Sequence, residues 1–503
     1  MSRRDLIKGV AAAGAAACPG VAPADASGAP GGLPRCRPEE AGVASAGLLG
    51  FLDAVEQKVG GLHSFMLVRQ GKVAAEGYWK PYGPRYPHML FSLSKSFTST
   101  AIGQAIGDSL LSLDDTVLSF FPDRAPVNPD ANLRAMRIRH LLTMTTGHDQ
   151  DTIDRTTRAT EGDWVRAFLS IPVEHAPGSK FVYNSGATYM LSAILQKITG
   201  KRLLDYLRPR LFGPLGITGM TWQTCPKGIN TGGWGLSVKT EDIARFGLLY
   251  LHKGVWRGRR LVPEAWVTAA TSKQVPNGDD PNSDWAQGYG YQFWRCRHNA
   301  YRGDGAFGQY CIVMPEHDAV MAITSGVADM QAVLNAIWDN LLHRMGSPAL
   351  PGPDEKTLAE RLKTLEVASP DGASLAPDTT RVDGRTYRLE QNDRKIVAAS
   401  FSVKAGRVTM TLTNDRGEHP LVCGMADWVR GTTALEGEPP AKIATRGAWT
   451  SDDTLMMKVC FYETPFERTI TVKFSGEDVT ITWKDNVGFG PTEGPTLKGK
   501  AVA

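Results

Sequence analysis

Met89-Leu90-Phe91-Ser92-Leu93-Ser94-Lys95-Ser96-Phe97-Thr98 contains the chain's only Ser-x-x-Lys motif, at the predicted start of a helix that runs to about residue 106. Residues three apart share one helix face, so the Lys95 amine can reach the Ser92 hydroxyl. The free amides of the first turn and the positive end of the helix dipole would favour an oxygen that becomes anionic. A serine activated by a partly desolvated lysine is a route to acyl transfer. Because this spacing also arises by chance, the motif needs support from elsewhere in the chain.

A second segment, residues 177–186, lies directly before a predicted helix over 187–198 and contains Tyr183 and Ser185. A phenol near a lysine loses its proton more easily, so Tyr183 could act as a base and later as the acid for a leaving group. Ser185 could bridge Lys95 and a substrate by hydrogen bonds. The alternative is a loop tyrosine that only packs its ring.

A third segment, residues 302–309, reads Arg-Gly-Asp-Gly-Ala-Phe-Gly-Gln and contains a literal Gly-x-Gly-x-x-Gly. Such a motif binds dinucleotides when a helix follows it, because the helix amino terminus faces the pyrophosphate. Residues 310–313 are Tyr-Cys-Ile-Val, which predicts a strand instead. The sequence therefore excludes a dinucleotide site here.

The same segment is better interpreted as a strand edge that borders a substrate. Gly303, Asp304 and Gly305 are the predicted substrate contacts, because glycines allow a close approach. The backbone amide of Ala306 would then join the amide of Ser92 to form an oxyanion hole.

These motifs, in this order, resemble the serine β-lactamase-related hydrolases, a group with class C β-lactamases, D-alanyl-D-alanine carboxypeptidases, related esterases and aminohexanoate-dimer hydrolases. The resemblance covers about residues 38–346 and includes three supporting segments: 138–147, 232–236 and 242–247. It implies Ser92 as the nucleophile, Lys95 as its activating partner and Tyr183 as the acid/base.

Two departures from the family pattern bear on the substrate. Ser185 stands where β-lactamases of this group usually have asparagine, and Gly303 stands where they have a lysine that helps to bind the substrate carboxylate. The resemblance is therefore greatest to the aminohexanoate-dimer hydrolase branch, which implies an ester or linear amide substrate. Arg302 could replace the lysine, so a β-lactamase, a D-alanyl-D-alanine carboxypeptidase or a slowly acylating penicillin-binding protein stays the alternative.

The predicted fold is α+β, with an antiparallel sheet flanked by helices, a helical lobe facing it, and a substrate cleft between them. Strands are predicted over 64–69, 73–79, 289–296, 308–314 and 319–325, with helices over 45–59 and 329–345. The hydrolase domain spans 38–346, a linker with a short helix spans 347–376, and short alternating strands over 377–503 predict an all-β domain, a small barrel.

The first 26 residues resemble a twin-arginine secretion signal. Arg3 and Arg4 precede the apolar run 9–18, and small residues at 24–26 supply a cleavage point. The run is too short to span a bilayer, so we expect an exported protein, periplasmic or secreted. A lipid anchor on Cys18 is the alternative.

Composition excludes several other classes of function. The 56 basic and 52 acidic residues give a formal charge of +4, and no basic run indicates nucleic-acid binding. No metal or cofactor is predicted, since the cluster of His148, Asp149 and Asp151 lacks a second histidine at ligand spacing. Oligomeric state is not predicted. Cys423 and Cys460 could form a disulfide, although buried free thiols are an equal alternative.

Overall fold

The central sheet of the protein has six strands, all paired antiparallel, in a computed structural model that describes residues 31–159, 161–346, 352–374 and 382–502. The predicted signal over 1–26 and the possible anchor Cys18 lie outside the described residues, as does part of the predicted linker. Among the described helices, none combines the length and apolar character needed to cross a bilayer.

Thirteen α-helices occur in the described ranges. They are α1 Ser45–Lys58, α2 Ser94–Gly107, α3 Ala131–Ala135, α4 Ile138–Leu142, α5 Ile153–Thr157, α6 Trp164–Leu169, α7 Ser185–Thr199, α8 Leu203–Leu207, α9 Gly213–Leu215, α10 Thr240–Leu251, α11 Glu264–Thr271, α12 Met330–Asn340 and α13 Pro353–Thr364. Helices α3 to α9 form the predicted helical lobe, between the second strand and the return of the chain to the sheet.

The strands that precede the linker supply the central sheet and two small ones. They are β1 Leu62–Arg69, β2 Lys72–Tyr78, β3 His88–Met89, β4 Thr221–Trp222, β5 Leu236–Val238, β6 Val255–Trp256, β7 Arg259–Arg260, β8 Trp294–Arg295, β9 Tyr301–Gly305, β10 Gln309–Met314 and β11 Ala319–Ser325. The central sheet has the order β2-β1-β11-β10-β9-β8.

Both faces of the central sheet are covered, which explains the apolar runs within β1, β10 and β11. In β1, Phe65 and Leu67 face the core shared with α1 and α12, whereas Met66 and Val68 face the core of the helical lobe. Successive strand residues point to opposite faces, so a strand buried on both sides needs apolar residues at every position. The α+β architecture predicted from the sequence is confirmed.

The C-terminal strands form a closed barrel. They are β12 Thr386–Leu389, β13 Ala398–Lys404, β14 Arg407–Asn414, β15 Gly417–Gly424, β16 Val429–Thr433, β17 Ala441–Ser451, β18 Thr454–Cys460, β19 Glu467–Ser475, β20 Asp478–Asp485 and β21 Leu497–Ala501. A pairing of β15 with β17 closes all of these strands except β16 into a nine-stranded ring. Strand β16 pairs with β17 and lies outside the ring. The predicted barrel is confirmed.

The barrel packs directly on the sheet-and-helix unit next to the Ser-x-x-Lys segment. The Met89 amide donates to the carbonyl oxygen of Glu463 at 2.9 Å. The Asn486 amide donates to the carbonyl oxygen of Gly326 at 3.0 Å. Helix α13 lies against α1, where Arg361 pairs with Asp53 at 2.8 Å. The segment predicted as a linker therefore includes a docked helix.

Two expectations from the sequence need correction, and the choice left open for the cysteines falls to free thiols. The strand predicted over 289–296 is reduced to Trp294–Arg295, and the glycine-rich third motif is itself a strand, Tyr301–Gly305. The cysteines of the described residues are free thiols, so no Cys423–Cys460 disulfide is present. Cys423 belongs to the barrel interior and Cys460 to the core shared with α1 and α12, so the two side chains lie on different sides of the barrel wall.

Candidate active site

Ser92 lies in a 3₁₀ turn over Phe91–Leu93, immediately before helix α2. We predicted Ser92 as the first helical residue, but α2 begins at Ser94. Phe91 has a φ of 45°, which is rare and unfavourable for a side chain of that size. Ser92 is half-buried in this turn, and the following residues enter the helix.

Lys95 is the meeting point of three segments. Its Nζ donates to Ser92 Oγ at 3.0 Å, to Ser185 Oγ at 3.1 Å and to the Gly233 carbonyl oxygen at 2.9 Å. The side chain is only 1% exposed, and all three acceptors are uncharged. The predicted proximity of Lys95 to Ser92 and Ser185 is thus present, and Gly233 is a partner that the sequence did not indicate.

Burial controls the protonation of Lys95. It lowers the pKa of the amine to about 8, although the nearby carboxylates of Asp151 and Asp304 favour the charged form. A neutral amine could donate its two hydrogens to Ser185 and Gly233 and accept the hydroxyl hydrogen of Ser92. The contacts of Lys95 therefore suit a general base near neutral pH.

Tyr183 borders the same space, beside Lys95. Lys95 Nζ lies 4.8 Å from the centroid of the Tyr183 ring. The ring stacks on Trp294 with centroids 5.4 Å apart and an angle of 18° between the planes, and it meets Tyr289 edge-on. These aromatic contacts fix the direction of the phenol.

The protonation of Tyr183 differs from the expectation. We predicted that the lysine would ease loss of the phenolic proton, but burial raises the pKa of Tyr183 above its usual value, and the charge of Asp304 adds to this effect. That prediction is wrong because the cost of placing a phenolate in a buried site exceeds the benefit of the neighbouring amine. The raised pKa keeps the Tyr183 phenol protonated near neutral pH.

The amino terminus of α7 positions Ser185. Asn184 caps the helix, and its Oδ1 accepts from the Ala187 amide at 3.2 Å. Asp151 Oδ1 accepts from the Ser185 amide at 2.9 Å. The sequence singled out Asp151 only in a cluster without metal-ligand spacing, and its position behind Ser185 became visible only in the fold.

The glycines of β9 have a packing function. A Cβ on Gly305 would collide with the carbonyl oxygen of Leu90, and one on Gly303 would collide with Ser96 Oγ. The glycines therefore let β9 lie against the turn that carries Ser92, which brings the neighbouring Ala306 close to it. The substrate contacts of Gly303 and Gly305, and the oxyanion hole of Ser92 and Ala306, stay predictions.

Arg302 and Asp304 form a buried ion pair beside the site. Arg302 Nη2 lies 2.9 Å from Asp304 Oδ2, and the Arg302 side chain is fully buried. Arg302 also donates to the carbonyl oxygen of Asp284 at 2.7 Å and lies over the Trp285 ring. The expectation that Arg302 could bind a substrate carboxylate in place of a lysine is wrong, since its guanidinium is occupied inside the protein. The substrate contact of Asp304 stays a prediction, and its carboxylate is engaged in this pair.

Sequence comparison finds relatives of several activities. The chain is 25% identical over 291 residues to the 6-aminohexanoate-dimer hydrolase of Paenarthrobacter ureafaciens, covering 53% of this chain and 73% of the relative. It is 25% identical over 297 residues to penicillin-binding protein 4 of Amycolatopsis lactamdurans, covering 52% and 77%. These matches relate the chain to a hydrolase and to a penicillin-binding protein.

Structure comparison and a family model agree with these relatives. The solved structure of EstCE1, a hydrolase with promiscuous acyltransferase activity, superposes with a TM-score of 0.50 at 17% identity, covering 60% of this chain and 99% of that one. The likeness concerns the fold alone. The model of the Beta-lactamase family matches residues 51–363. The chain therefore belongs to the β-lactamase family.

Proposed function

We propose that the protein is a serine hydrolase that cleaves a carboxylic ester or a linear amide through an acyl-enzyme on Ser92. The observation that carries this proposal is the contact of a buried lysine with a half-buried serine, at 3.0 Å between Lys95 Nζ and Ser92 Oγ. The lowered pKa of Lys95 makes the amine available as a base near neutral pH.

Acylation begins when Ser92 Oγ attacks the substrate carbonyl carbon and its proton moves to Lys95. The carbonyl oxygen becomes an oxyanion, which the Ser92 and Ala306 amides stabilise. Tyr183 donates its proton to the leaving oxygen or nitrogen as the bond to carbon breaks, and the Lys95 ammonium then restores the Tyr183 proton. In deacylation the proton transfers run in the opposite direction. Tyr183 passes its proton to Lys95 and takes one from the attacking water, and the Lys95 ammonium returns a proton to Ser92 Oγ as the carboxylic acid is released.

The third motif favours a substrate without a carboxylate at this edge of the cleft. Position 303 is glycine, and the adjacent Arg302 is committed to Asp304 and Asp284. A penicillin or a peptidoglycan peptide would bring its carboxylate to a place where neither residue offers a free cation. This absence supports an esterase or aminohexanoate-dimer-hydrolase-like amidase rather than a β-lactamase or carboxypeptidase.

The test is a hydrolysis panel with the purified protein: p-nitrophenyl esters, linear amide dimers, D-amino-acid amides and nitrocefin. We expect turnover of the esters or linear amides, loss of several orders of magnitude in Ser92→Ala, and no loss in Ser170→Ala, whose side chain is exposed. Turnover of nitrocefin alone would support the β-lactamase alternative. Stable acylation by a penicillin without turnover would indicate a penicillin-binding protein.

We also propose that the chain is exported by a twin-arginine signal. The paired Arg3 and Arg4 ahead of an apolar run support this proposal. Replacing both with lysine should leave the full-length precursor in the cytoplasm, whereas the wild type should be found, shortened, in the periplasm or medium. Recovery of the wild type in the membrane fraction, lost in Cys18→Ser, would indicate a lipid anchor instead.

A further inference from the structure

Four phenylalanines, here called the phenylalanine cluster, join the barrel to the candidate active site. Phe91 precedes Ser92, and Phe307 follows Ala306, whereas Phe466 and Phe489 come from two loops of the barrel. Ring centroids are 5.5 Å apart for Phe91 and Phe307, 5.6 Å for Phe91 and Phe489, and 4.8 Å for Phe307 and Phe489. Phe466 lies 5.7 Å from Phe307 and 6.1 Å from Phe91.

The cluster is incompletely covered. Phe489 is 78% exposed even though it contacts two other rings, and the other three members are half-buried. An exposed phenylalanine between two glycines, Gly488 and Gly490, is an unusual tip for a loop, because turns and loops are mostly polar. An incompletely covered apolar surface next to Ser92 points to an apolar ligand.

The loop that carries Phe489 has a fixed base. Asn486 donates from Nδ2 to the carbonyl oxygens of Gly326 at 3.0 Å and Pro465 at 2.9 Å. Its Oδ1 accepts from the Glu467 amide at 2.8 Å. The barrel is therefore bonded to the end of β11 at the point where the loop leaves it, so Phe489 is held over the segment that contains Ser92.

The position of the cluster selects one side of the substrate. Tyr183, the proposed donor to the leaving group, is surrounded by a different set of rings, namely Trp294, Tyr289 and Phe181. The phenylalanine cluster instead adjoins the two residues whose amides would bind the carbonyl oxygen, Ser92 and Ala306. Because the leaving group would lie beside Tyr183, the acyl part of the substrate would contact the phenylalanine cluster.

We propose that the phenylalanine cluster is the acyl subsite of the enzyme, completed by Phe489 of the barrel, and that it selects esters or amides with an uncharged, apolar acyl chain. The inference rests on the proposed acyl-enzyme chemistry of Ser92 and deepens it. It gives the barrel a direct part in substrate recognition. Each methylene added to the acyl chain would move its apolar surface out of water and against these rings. The value of kcat/KM should therefore rise roughly threefold per added methylene.

The experiment compares p-nitrophenyl acetate, butyrate and hexanoate on the full chain. In the wild type, kcat/KM should rise with chain length. In Phe489→Ala, which removes an exposed side chain, the rise should become shallower: about tenfold less kcat/KM for hexanoate, mainly through KM, and a change of less than about twofold for acetate. Phe489→Leu should restore most of the rise. Val397→Ala, at another exposed apolar residue of the barrel, should behave as the wild type.

A second series keeps the acyl group as acetyl and lengthens the alcohol. If Phe489→Ala changes this series and leaves the first unchanged, the cluster binds the leaving group and the acyl assignment is wrong. Equal chain-length dependence in the wild type and Phe489→Ala, with Ser92-dependent hydrolysis intact, would overturn the subsite and leave the proposed function standing. Hydrolysis that persists in Ser92→Ala would overturn the proposed function itself.

Discussion

Lys95 Nζ and Ser185 Oγ lie 3.1 Å apart although the two residues are separated by 90 positions in the chain. The contact joins the Ser-x-x-Lys motif at the start of α2 to the Tyr-x-Ser motif at the start of α7. Asp151 holds the Ser185 amide from behind. A serine, a lysine and a tyrosine thereby share one site, and the following predictions depend on this arrangement.

The first prediction concerns the pH dependence of ester hydrolysis. Lys95 must be neutral to accept the Ser92 proton, and burial lowers its pKa to about 8. The active fraction therefore falls as pH drops below that value, so kcat/KM should rise about tenfold per pH unit at low pH and level off above about 8. Stopped assays with an amide avoid the spontaneous hydrolysis of p-nitrophenyl esters at high pH.

Replacement of the lysine tests the same base. Lys95→Arg keeps a positive charge that cannot be removed, and should lower kcat by about 10²- to 10⁴-fold at every pH. A variant that retained the wild-type profile, with its rise towards pH 8, would show that another group titrates.

The second prediction separates the roles of Tyr183 for good and poor leaving groups. The raised pKa of the phenol suits proton donation, which an amide nitrogen requires and a p-nitrophenolate does not. Tyr183→Phe should lower kcat/KM for a linear amide by about 10²-fold or more, and for a p-nitrophenyl ester by much less. Tyr289→Phe, which alters a neighbouring ring, is the matched control. Equal losses on both substrates would indicate that Tyr183 acts on Ser92 rather than on the leaving group.

The third prediction concerns Gly305, whose missing side chain lets β9 approach the turn before Ser92. The Cβ of Gly305→Ala would collide with the Leu90 carbonyl oxygen and push Ala306 away from Ser92. A displacement of about 1 Å in the oxyanion donors should cost about 100-fold in kcat. Gly431→Ala is the control, because no other atom lies within 4 Å of the position its Cβ would take. If the folded Gly305→Ala protein has an unchanged kcat, the assignment of Ala306 to the oxyanion hole is wrong.

The fourth prediction concerns acid stability at the contact between the barrel and the sheet-and-helix unit. His63 and His88 are buried there with their rings bonded at 3.0 Å, His63 stacks on Tyr82, and His63 Nε2 lies 3.3 Å from Glu467 Oε1 of the barrel. Burial lowers the pKa of His88 to about 3 and lowers that of His63 as well. The folded protein thus keeps both rings neutral where the unfolded chain would protonate them.

The sign follows from proton counting. Between about pH 6.5 and 3 the unfolded state binds one more proton at His88 than the folded state, so the free energy of unfolding falls as pH is lowered, by about 1.4 kcal/mol per pH unit for this group. Urea unfolding at pH 7, 6 and 5 should show the decline. His88→Gln should unfold at lower urea at pH 7 but lose less stability on acidification. An identical slope in that variant would mean that other groups control the acid transition.

The contacts of Lys95 with Ser92 and Ser185 could be predicted from the sequence because each motif is local and lies at the start of a helix. Predicting the contact between Ser92 and Lys95 needed only the three-residue spacing. The start of α2 was predicted two residues too early, because Phe91 adopts a left-handed backbone conformation that tertiary contacts impose. Strand β9 was hidden because Gly303 and Gly305 look like loop residues until Leu90 and Ser96 are seen against them.

Other features depend on contacts between distant residues, which no local pattern encodes. Arg302 is bonded to Asp304 and Asp284, so it is not free to bind a substrate carboxylate as the sequence had suggested. Burial lowers the pKa of Lys95 and raises the pKa of Tyr183, and this burial becomes known only with the fold. The phenylalanine cluster unites positions 91, 307, 466 and 489, and half of it comes from the barrel.

The most direct measurement is the site of covalent labelling. The protein is incubated with a fluorophosphonate, digested, and the modified peptide is identified by mass spectrometry. We predict one adduct, on Ser92, formed in parallel with loss of ester hydrolysis and absent from Ser92→Ala. An adduct on a different residue, or complete loss of activity with Ser92 unmodified, would contradict Ser92 as the nucleophile.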